Sequence, residues 1–379
     1  MSEQPIYLDY NATTPVDARV LDAMLPYLRE HYGNPSSAHV YGRRAHEAVE
    51  AARQEVAALI QAAPQEIIFT GCATEANNLA ILGCARAAAG SKRHAITGAV
   101  EHPSVLQPFM RLREEGWEVT VLPVDGAGRV SADDVARALR PDTALVSVMH
   151  ANNETGAVQP VAEIAALLKP HGVPLHSDAA QSAGKIPVAV DELGVDLLTL
   201  AGHKLYAPKG IGALYVRGGT PLLPIMAGAG HERGLRPGTE SVALIVGLGR
   251  AARLARAGVD EESARLRTLR DELHGRFTAA IPGLALNGPS DARLPNTLNV
   301  SFPGVAGWQL LETAAGVAAS TGSACHAEDG RGSPVLAAMG LSAERIAGAV
   351  RLSVGRPSDR LEIARAADDL IAAWRQLHR

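Results

Sequence analysis

From residue 67 onward, short β-branched runs alternate with amphipathic stretches. The runs are I-I-F-T (67–70), H-A-I-T-G-A-V (94–100), V-T-V-L-P-V (119–124), A-L-V-S-V-M (144–149), V-P-L-H (173–176), D-L-L-T-L (196–200) and I-G-A-L-Y-V (211–216). Most are apolar on both parities, the pattern of strands covered on both faces. Helical periodicity fills the intervals at 74–89, 103–115, 131–139 and 161–169. An earlier helix over 42–62 carries Ala45, Val49, Ala52, Val56 and Leu59 on one stripe. Such alternation predicts an α/β fold built on a mostly parallel, doubly wound sheet of about seven strands.

After residue 258 the pattern changes. A long helix places Leu266, Leu269, Leu273 and Phe277 on one side. It is followed by L-P-N-T-L-N-V-S-F (294–302), a stretch around Cys325, A-V-R-L-S-V (349–354) and a terminal helix from about 358. This reads as a smaller α+β domain. Gly and Pro gather in 217–238, a long connection of the kind that carries function.

Bulk properties narrow the class. A chain of 379 residues, 47% hydrophobic, fits two domains with a sizeable core. A net charge of −4 gives no reason to expect nucleic acid or a membrane surface as partner. The start, M-S-E-Q-P-I-Y-L-D-Y, lacks the basic and apolar regions of a secretory signal. Three cysteines, Cys72, Cys84 and Cys325, form neither a disulfide framework nor a metal site, so the expected compartment is the cytoplasm. Cys72 and Cys84 lie in or beside a helix start and read as packing residues.

In a parallel sheet, ligands bind beyond the carboxyl ends of the strands. After the first run comes G-C-A-T-E-A, with Ala73 and Thr74 at a helix N-terminus able to take an anion. After the others come His102, then Asn152 and Asn153, then Asp178 and Gln181, then His203 and Lys204. Singly, each reads as a cap or turn former. Together they set an anion site, an imidazole, a carboxylate, amides and a lysine on one rim. Pyridoxal phosphate wants this set: a lysine for its aldehyde, a carboxylate for its ring nitrogen, N–H groups and hydroxyls for its phosphate.

Specific runs then carry a resemblance. Y-L-D-Y-N-A-T-T-P-V (7–16), G-N-P-S-S (33–37), A-T-E-A-N-N-L-A-I (73–81), A-N-N-E-T-G (151–156), H-S-D-A-A-Q-S-A-G-K (176–185), G-H-K-L-Y-A-P-K-G-I-G-A-L-Y-V-R (202–217), H-E-R-G-L-R-P-G-T-E (231–240) and G-S-A-C (322–325) resemble class V, fold-type I pyridoxal-phosphate enzymes. More narrowly they are similar to cysteine desulfurases of the NifS/IscS type and to selenocysteine lyases. The resemblance implies a large cofactor-binding domain over 14–258. It implies a small domain over 1–13 and 259–379, with a catalytic cysteine loop at about 320–333.

By position, the resemblance implies that Lys204 holds the cofactor covalently and that His102 stacks on its ring and moves protons. Asp178 would face the pyridine nitrogen and Gln181 the phenolic oxygen. Ala73, Thr74 and His203, with Thr239 from the second subunit of a homodimer, would hold the phosphate. Asn153, Arg351 and Asn11 would bind the substrate, Asn153 also contacting the cofactor, with Arg356 structural. Cys325 would take sulfur from L-cysteine as a persulfide, leaving L-alanine. Gly330 and Gly332 just beyond it suit a moving loop. The sulfur acceptor is left open among iron–sulfur cluster assembly, tRNA thiolation and DNA phosphorothioation.

Three features depart from the pattern. Cys72 stands where the family has glycine, and Ala201 where it often has a phosphate-binding serine. The Cys325 stretch and R-P-G-T-E look closer to selenocysteine lyases, which makes L-selenocysteine the alternative substrate. The chain stops at Arg379, directly after its last helical pattern, where a longer tail would dock a scaffold partner. A different class V enzyme, or a sulfur-relay subunit without catalysis, is the remoter alternative.

Overall fold

The computed structural model describes residues 4–88, 90–322 and 332–378. After the short strand β1 (Ile6–Tyr7), the seven runs form one sheet. Its strands are β2 (Ile67–Thr70), β3 (His94–Gly98), β4 (Glu118–Leu122), β5 (Thr143–Ser147), β6 (Leu175–Asp178), β7 (Leu197–Ala201) and β8 (Gly212–Val216), in the order β2-β8-β7-β6-β5-β3-β4. All neighbouring pairs are parallel except those of β8, which runs against both β2 and β7. The ten residues between β7 and β8 are too few for a crossover helix, so the chain reverses instead.

Six of the strands are almost wholly buried, as the apolar runs require. The exception is β4, at the sheet edge, where only Leu122 is buried. Edge position alone does not decide this, because β2 at the opposite edge is fully buried, with Ile67 and Phe69 packed in one core cluster and Ile68 in another.

Helices α1 (Ala18–Arg29), α2 (Val40–Leu59), α3 (Ala73–Ala88), α4 (Pro103–Glu114), α5 (Ala132–Ala138), α6 (Val161–Leu168), α7 (Val190–Leu193) and α8 (Val242–Arg256) accompany this sheet. They start where the sequence offers caps: Asp17 accepts from Arg19 N, Ser131 from Asp133 N and His102 from Ser104 N. The stripe Ala45, Val49, Ala52 and Val56 of α2 is buried, packed against α8 under the sheet, and α8 in turn packs against α1. Neither α1 nor α8 was marked by the strand–helix alternation.

A second core is separate. It joins α9 (Val259–Ala280), α10 (Gly307–Thr313) and α13 (Arg360–Leu377) to the antiparallel sheet β9 (Ala285–Leu286), β10 (Thr297–Ser301) and β12 (Ala349–Ser353). Leu266, Leu269, Leu273 and Phe277 face inward from α9, and the Phe277 ring meets that of Phe302 edge-on at 5.4 Å. Strand β1 pairs in parallel with β11 (Val317–Ala318), so Ile6 and Leu8 belong to this core although they begin the chain. Two short helices, α11 (Pro334–Ala338) and α12 (Ala343–Ala347), cover a small apolar cluster with Val100 and Met149 of the first sheet's rim.

The Gly- and Pro-rich connection is pinned by one buried ion pair. The Glu232 carboxylate accepts from both terminal nitrogens of the Arg53 guanidinium at 2.8 Å and from Phe69 N at 2.7 Å. Glu232 and Arg233 both hold left-handed backbone, with φ of 47° and 58°. Two consecutive non-glycine residues there are strained, and the ion pair fixes them. Glu232→Ala leaves the buried Arg53 charge with only the more exposed Glu50 carboxylate, at 3.0 Å from its Nε. The expected loss is about 3–5 kcal/mol of stability, read by denaturant unfolding; a loss below about 1 kcal/mol would deny the pair its anchoring role.

Candidate active site

The rim residues converge at the carboxyl ends of β2, β3, β6 and β7. Strand β7 runs into a tight 3-10 turn, Gly202–Lys204, that presents His203 and Lys204. The Lys204 amine donates to the carbonyl oxygen of Ala12 at 2.7 Å and to that of Asn11. Burial pushes its pKa down to about 8, helped by the Arg351 charge and opposed by Asp9 and Asp178. An amine so poised is a competent nucleophile near neutral pH.

His203 lies with Nδ1 3.1 Å from Thr13 Oγ1, and burial with the nearby Lys204 and Lys209 charges lowers its pKa to about 4. It is therefore a neutral imidazole. His102 caps α4 through Nδ1, which accepts from Ser104 N at 3.1 Å and faces Ser104 Oγ at 2.8 Å. An accepting Nδ1 leaves the ring proton on Nε2. Burial lowers the pKa of this ring too, with Asp178 opposing.

Asp178, the last residue of β6, is fixed by Asn77 Nδ2 at 2.8 Å and by Ala180 N at 2.9 Å. Asn77 Nδ2 also donates to Ser104 Oγ at 2.8 Å, so one amide ties the carboxylate to the hydroxyl that orients His102. At the α3 start, Ala76 N is the first amide to find an acceptor, Cys72 O. The amides of Ala73 and Thr74 have none among the described residues, leaving an anion cup with the Thr74 hydroxyl beside it. Gly212 lies against this cup. A Cβ there would stand 2.9 Å from Ala73 N and 2.7 Å from the Cys72 carbonyl carbon, closer than atoms allow. A cavity of about 480 Å³ opens between α3 and α4, with Thr74, His102 and Arg111 in its wall.

Asn11 joins the two halves of the molecule. Its Oδ1 accepts from Asn296 Nδ2 at 2.9 Å and from Lys185 Nζ at 3.3 Å, and its Nδ2 donates to Thr297 Oγ1 and to Asn153 O. Its own carbonyl receives Lys204 and Gln181 Nε2. The carboxamide expected to touch substrate is thus 1% exposed and fully engaged inside the protein. Asn153 and Arg351 differ. The Asn153 carboxamide has no partner among the described residues. Arg351 donates to Asn153 O at 3.1 Å and pairs with Asp9 at 2.6 Å, while its buried Nε has no partner among the described residues.

Thr239 is exposed and makes no hydrogen bond to these residues within the described chain. Arg356 stacks on the Tyr206 ring at 4.3 Å and lies 3.7 Å from Asp17. Cys84 is buried, with its thiol pushed up to about 12 by burial, but Cys72 is exposed, against the packing expected of both. Cys72 directly precedes α3, outside its buried face. Cys325 and Gly330 lie outside the described residues. The flanks do not: Ser333 Oγ bonds the Glu154 carboxylate at 2.5 Å, and Ser320 exchanges backbone hydrogen bonds with Arg351.

Asn77, Ser104, Lys185, Asn296, Thr297 and Asp9 were not singled out from the sequence. Asp9, Asn77 and Lys185 lie within the quoted runs, but nothing local says that they bond across the site. The assembled donors fit pyridoxal phosphate: a depressed lysine, a fixed carboxylate, a free helix start and an unpartnered guanidinium nitrogen.

Comparison with known proteins places this geometry. A family model described as aminotransferase class V matches residues 6–365. The chain is 48% identical over 362 residues to "Cysteine desulfurase IscS" of Anaeromyxobacter dehalogenans, covering 95% of this chain and 90% of that one. A solved structure described as a NifS-like protein superposes with a TM-score of 0.91 at 37% identity, covering 97% and 99% of the two chains. A structure described as SspA in complex with cysteine gives 0.82 at 38% identity, covering 92% and 98%.

Because Lys204 loses its proton near pH 8 rather than 10.5, its free-amine fraction rises with pH through that value. Capture of pyridoxal phosphate by the apoprotein, followed by its visible band, is expected to speed up with a midpoint near 8. A midpoint above 10 would mean that the amine is not perturbed.

Proposed function

The chain belongs to the class V aminotransferase family and is a pyridoxal-phosphate-dependent cysteine desulfurase, and we propose that its sulfur leaves as a persulfide on Cys325. The observation that carries the reading is Lys204, an amine lowered to about 8 on the same rim as Asp178 and His102. The relatives are named cysteine desulfurases and one neighbour was solved with cysteine, which does not favour selenocysteine as the substrate.

Bound pyridoxal phosphate supplies an aldehyde for the lysine and an electron-accepting ring. Around it, Asp178 offers a carboxylate held from two sides to the ring nitrogen, and Gln181 an N–H to the phenolic oxygen. Ala73, Thr74 and His203 serve the phosphate, joined by Thr239 of the partner subunit in a homodimer. His102 covers the ring and handles a proton at Nε2. Arg351, turned by Asp9 and Asn153 O, receives the substrate carboxylate with the Asn153 amide beside it. Asn11 serves these residues from behind rather than touching substrate.

The Cys325 thiolate then bonds to the substrate sulfur as the Cβ–S bond breaks, and the carbon takes a proton and leaves as alanine. Supporting this, both flanks of the Cys325 stretch are anchored beside the carboxylate site, at Arg351 and Glu154. The cofactor-binding domain would span 14–258, with 1–13 and 259–379 forming the smaller one. A sulfur-acceptor protein would relieve the persulfide, iron–sulfur cluster assembly being the use that the IscS names suggest. Among the described residues no helix is long and apolar enough to cross a membrane, and a cytoplasmic setting suits a reduced thiol.

Purified, cofactor-loaded protein given L-cysteine with a thiol reductant, which reduces the persulfide, is expected to release sulfide and alanine, and Cys325→Ala to abolish both. Unchanged turnover in that variant would return the chain to another class V reaction. Preference for L-selenocysteine, with negligible cysteine turnover, would reverse the substrate assignment. Arg351→Lys loses the guanidinium fork and is expected to raise KM for cysteine roughly 10- to 100-fold, with a smaller effect on kcat.

A further inference from the structure

The lysine that closes H-S-D-A-A-Q-S-A-G-K is not a surface residue. Gly184, with φ +74°, turns the chain so that Lys185 points inward, 7% exposed. Any side chain at 184 would collide with Leu205. The Lys185 amine ends 2.8 Å from Gln181 Oε1 and 3.3 Å from Asn11 Oδ1. Both partners are neutral amide oxygens. The charged groups acting on it, Lys204 and Arg351, are both positive, so they add to burial in lowering its pKa. A buried lysine with no carboxylate partner among the described residues is costly to keep, and stability alone does not call for one.

A carboxamide has two ends of similar shape and opposite hydrogen-bonding sense. An amine offers N–H to each acceptor it meets, so Lys185 settles which end of two amides faces it. Gln181 turns its oxygen to Lys185, which sends its NH₂ the other way: one hydrogen goes to Asn11 O at 3.0 Å and the second is left for a ligand. Asn11 turns its oxygen to the same amine, which sends its NH₂ to Thr297 Oγ1 and to Asn153 O, the carbonyl that receives Arg351.

We propose that Lys185 is a positioning residue that sets the polarity of this amide chain. It holds Gln181 as a hydrogen-bond donor toward the cofactor's phenolic oxygen and holds Asn11 as a donor toward the Asn153–Arg351 arm. The proposal rests on the assignment of Gln181 to that oxygen. It names no new contact with substrate, since Lys185 acts through the two amides.

The test is a double-mutant cycle on the cofactor-loaded protein, with Lys185→Met, Gln181→Met and the pair, read by the absorption maximum of the bound cofactor and by its dissociation constant. Methionine keeps the length and apolar stem of lysine and removes its N–H groups. Gln181→Met is expected to shift the band and weaken cofactor binding about tenfold, the scale of one charge-assisted hydrogen bond. Lys185→Met is expected to do the same, and the double variant to be no worse than Gln181→Met alone. Lys185→Gln, which restores an N–H donor, is expected to recover part of the shift.

A band moved by Gln181→Met but not by Lys185→Met would overturn the role of Lys185 alone. A band unmoved by Gln181→Met would sink the assignment of Gln181 on which it rests. Multiplying losses in the double variant, or failure of both Lys185 variants to fold, would make Lys185 a stability residue and end the proposal.

Discussion

The site depends on satisfying one buried carboxamide. Asn11 is shut off from water, so each of its polar atoms must find a partner within the fold or cost the desolvation of an unmet group. All of them do. Its backbone N–H meets Ser353 Oγ, its carbonyl takes Lys204 and Gln181, and its side chain spans Asn296, Thr297, Asn153 and Lys185. Those partners come from both cores. The lysine of one and the arginine strand of the other therefore hold a fixed relation, because moving either would strip bonds from the same amide.

Charge follows the same economy. Lys204, Lys185 and Arg351 bring three cationic side chains to one place, while Asp9 and Asp178 bring two carboxylates. Burial and mutual repulsion push the two lysines toward their uncharged forms. The imidazoles nearby, His102 and His203, are held neutral by burial, as is His176 inside the sheet between Ser147 and Thr199. Two donor features are left without partners among the described residues: the Nε of Arg351 and the first amides of α3. An amino-acid carboxylate and a phosphate are the anions those two features would take.

The fold was largely legible because hydrophobic runs decide it. All seven strands of the main sheet fell within a residue or two of their apolar runs, and the inward face of α9 matched its leucines. The reversed direction of β8 was not visible, since it follows from the length of a connection rather than from the strand itself. The rim residues could be found because each follows a strand. Asn77, on α3, and Lys185 and Asn296, outside the regular elements, could not, because an amide or a lysine looks the same in sequence whether it faces water or another polar group. Asn11 illustrates the limit: its motif stands out in the sequence, but whether it touches a ligand or braces its neighbours depends on partners far away in the chain. Cys72 failed for the opposite reason, as helix-start position alone does not say which way a short side chain turns.

The span of those partnerships has a kinetic side. Asn11 and Ser353, like Asp9 and Arg351, are joined across 342 positions of sequence, and Asn11 and Asn296 across 285. Closing such long loops adds only slowly to the entropic cost, but contacts between distant positions form late. The sheet and Lys204 can be in place while the carboxylate arm has yet to arrive from the C-terminal strand. A chain still being synthesised thus holds a buried amine without the groups that would direct its chemistry. The reactive ensemble comes into being only when the last strand pairs, which separates the time at which the protein folds its scaffold from the time at which it can act.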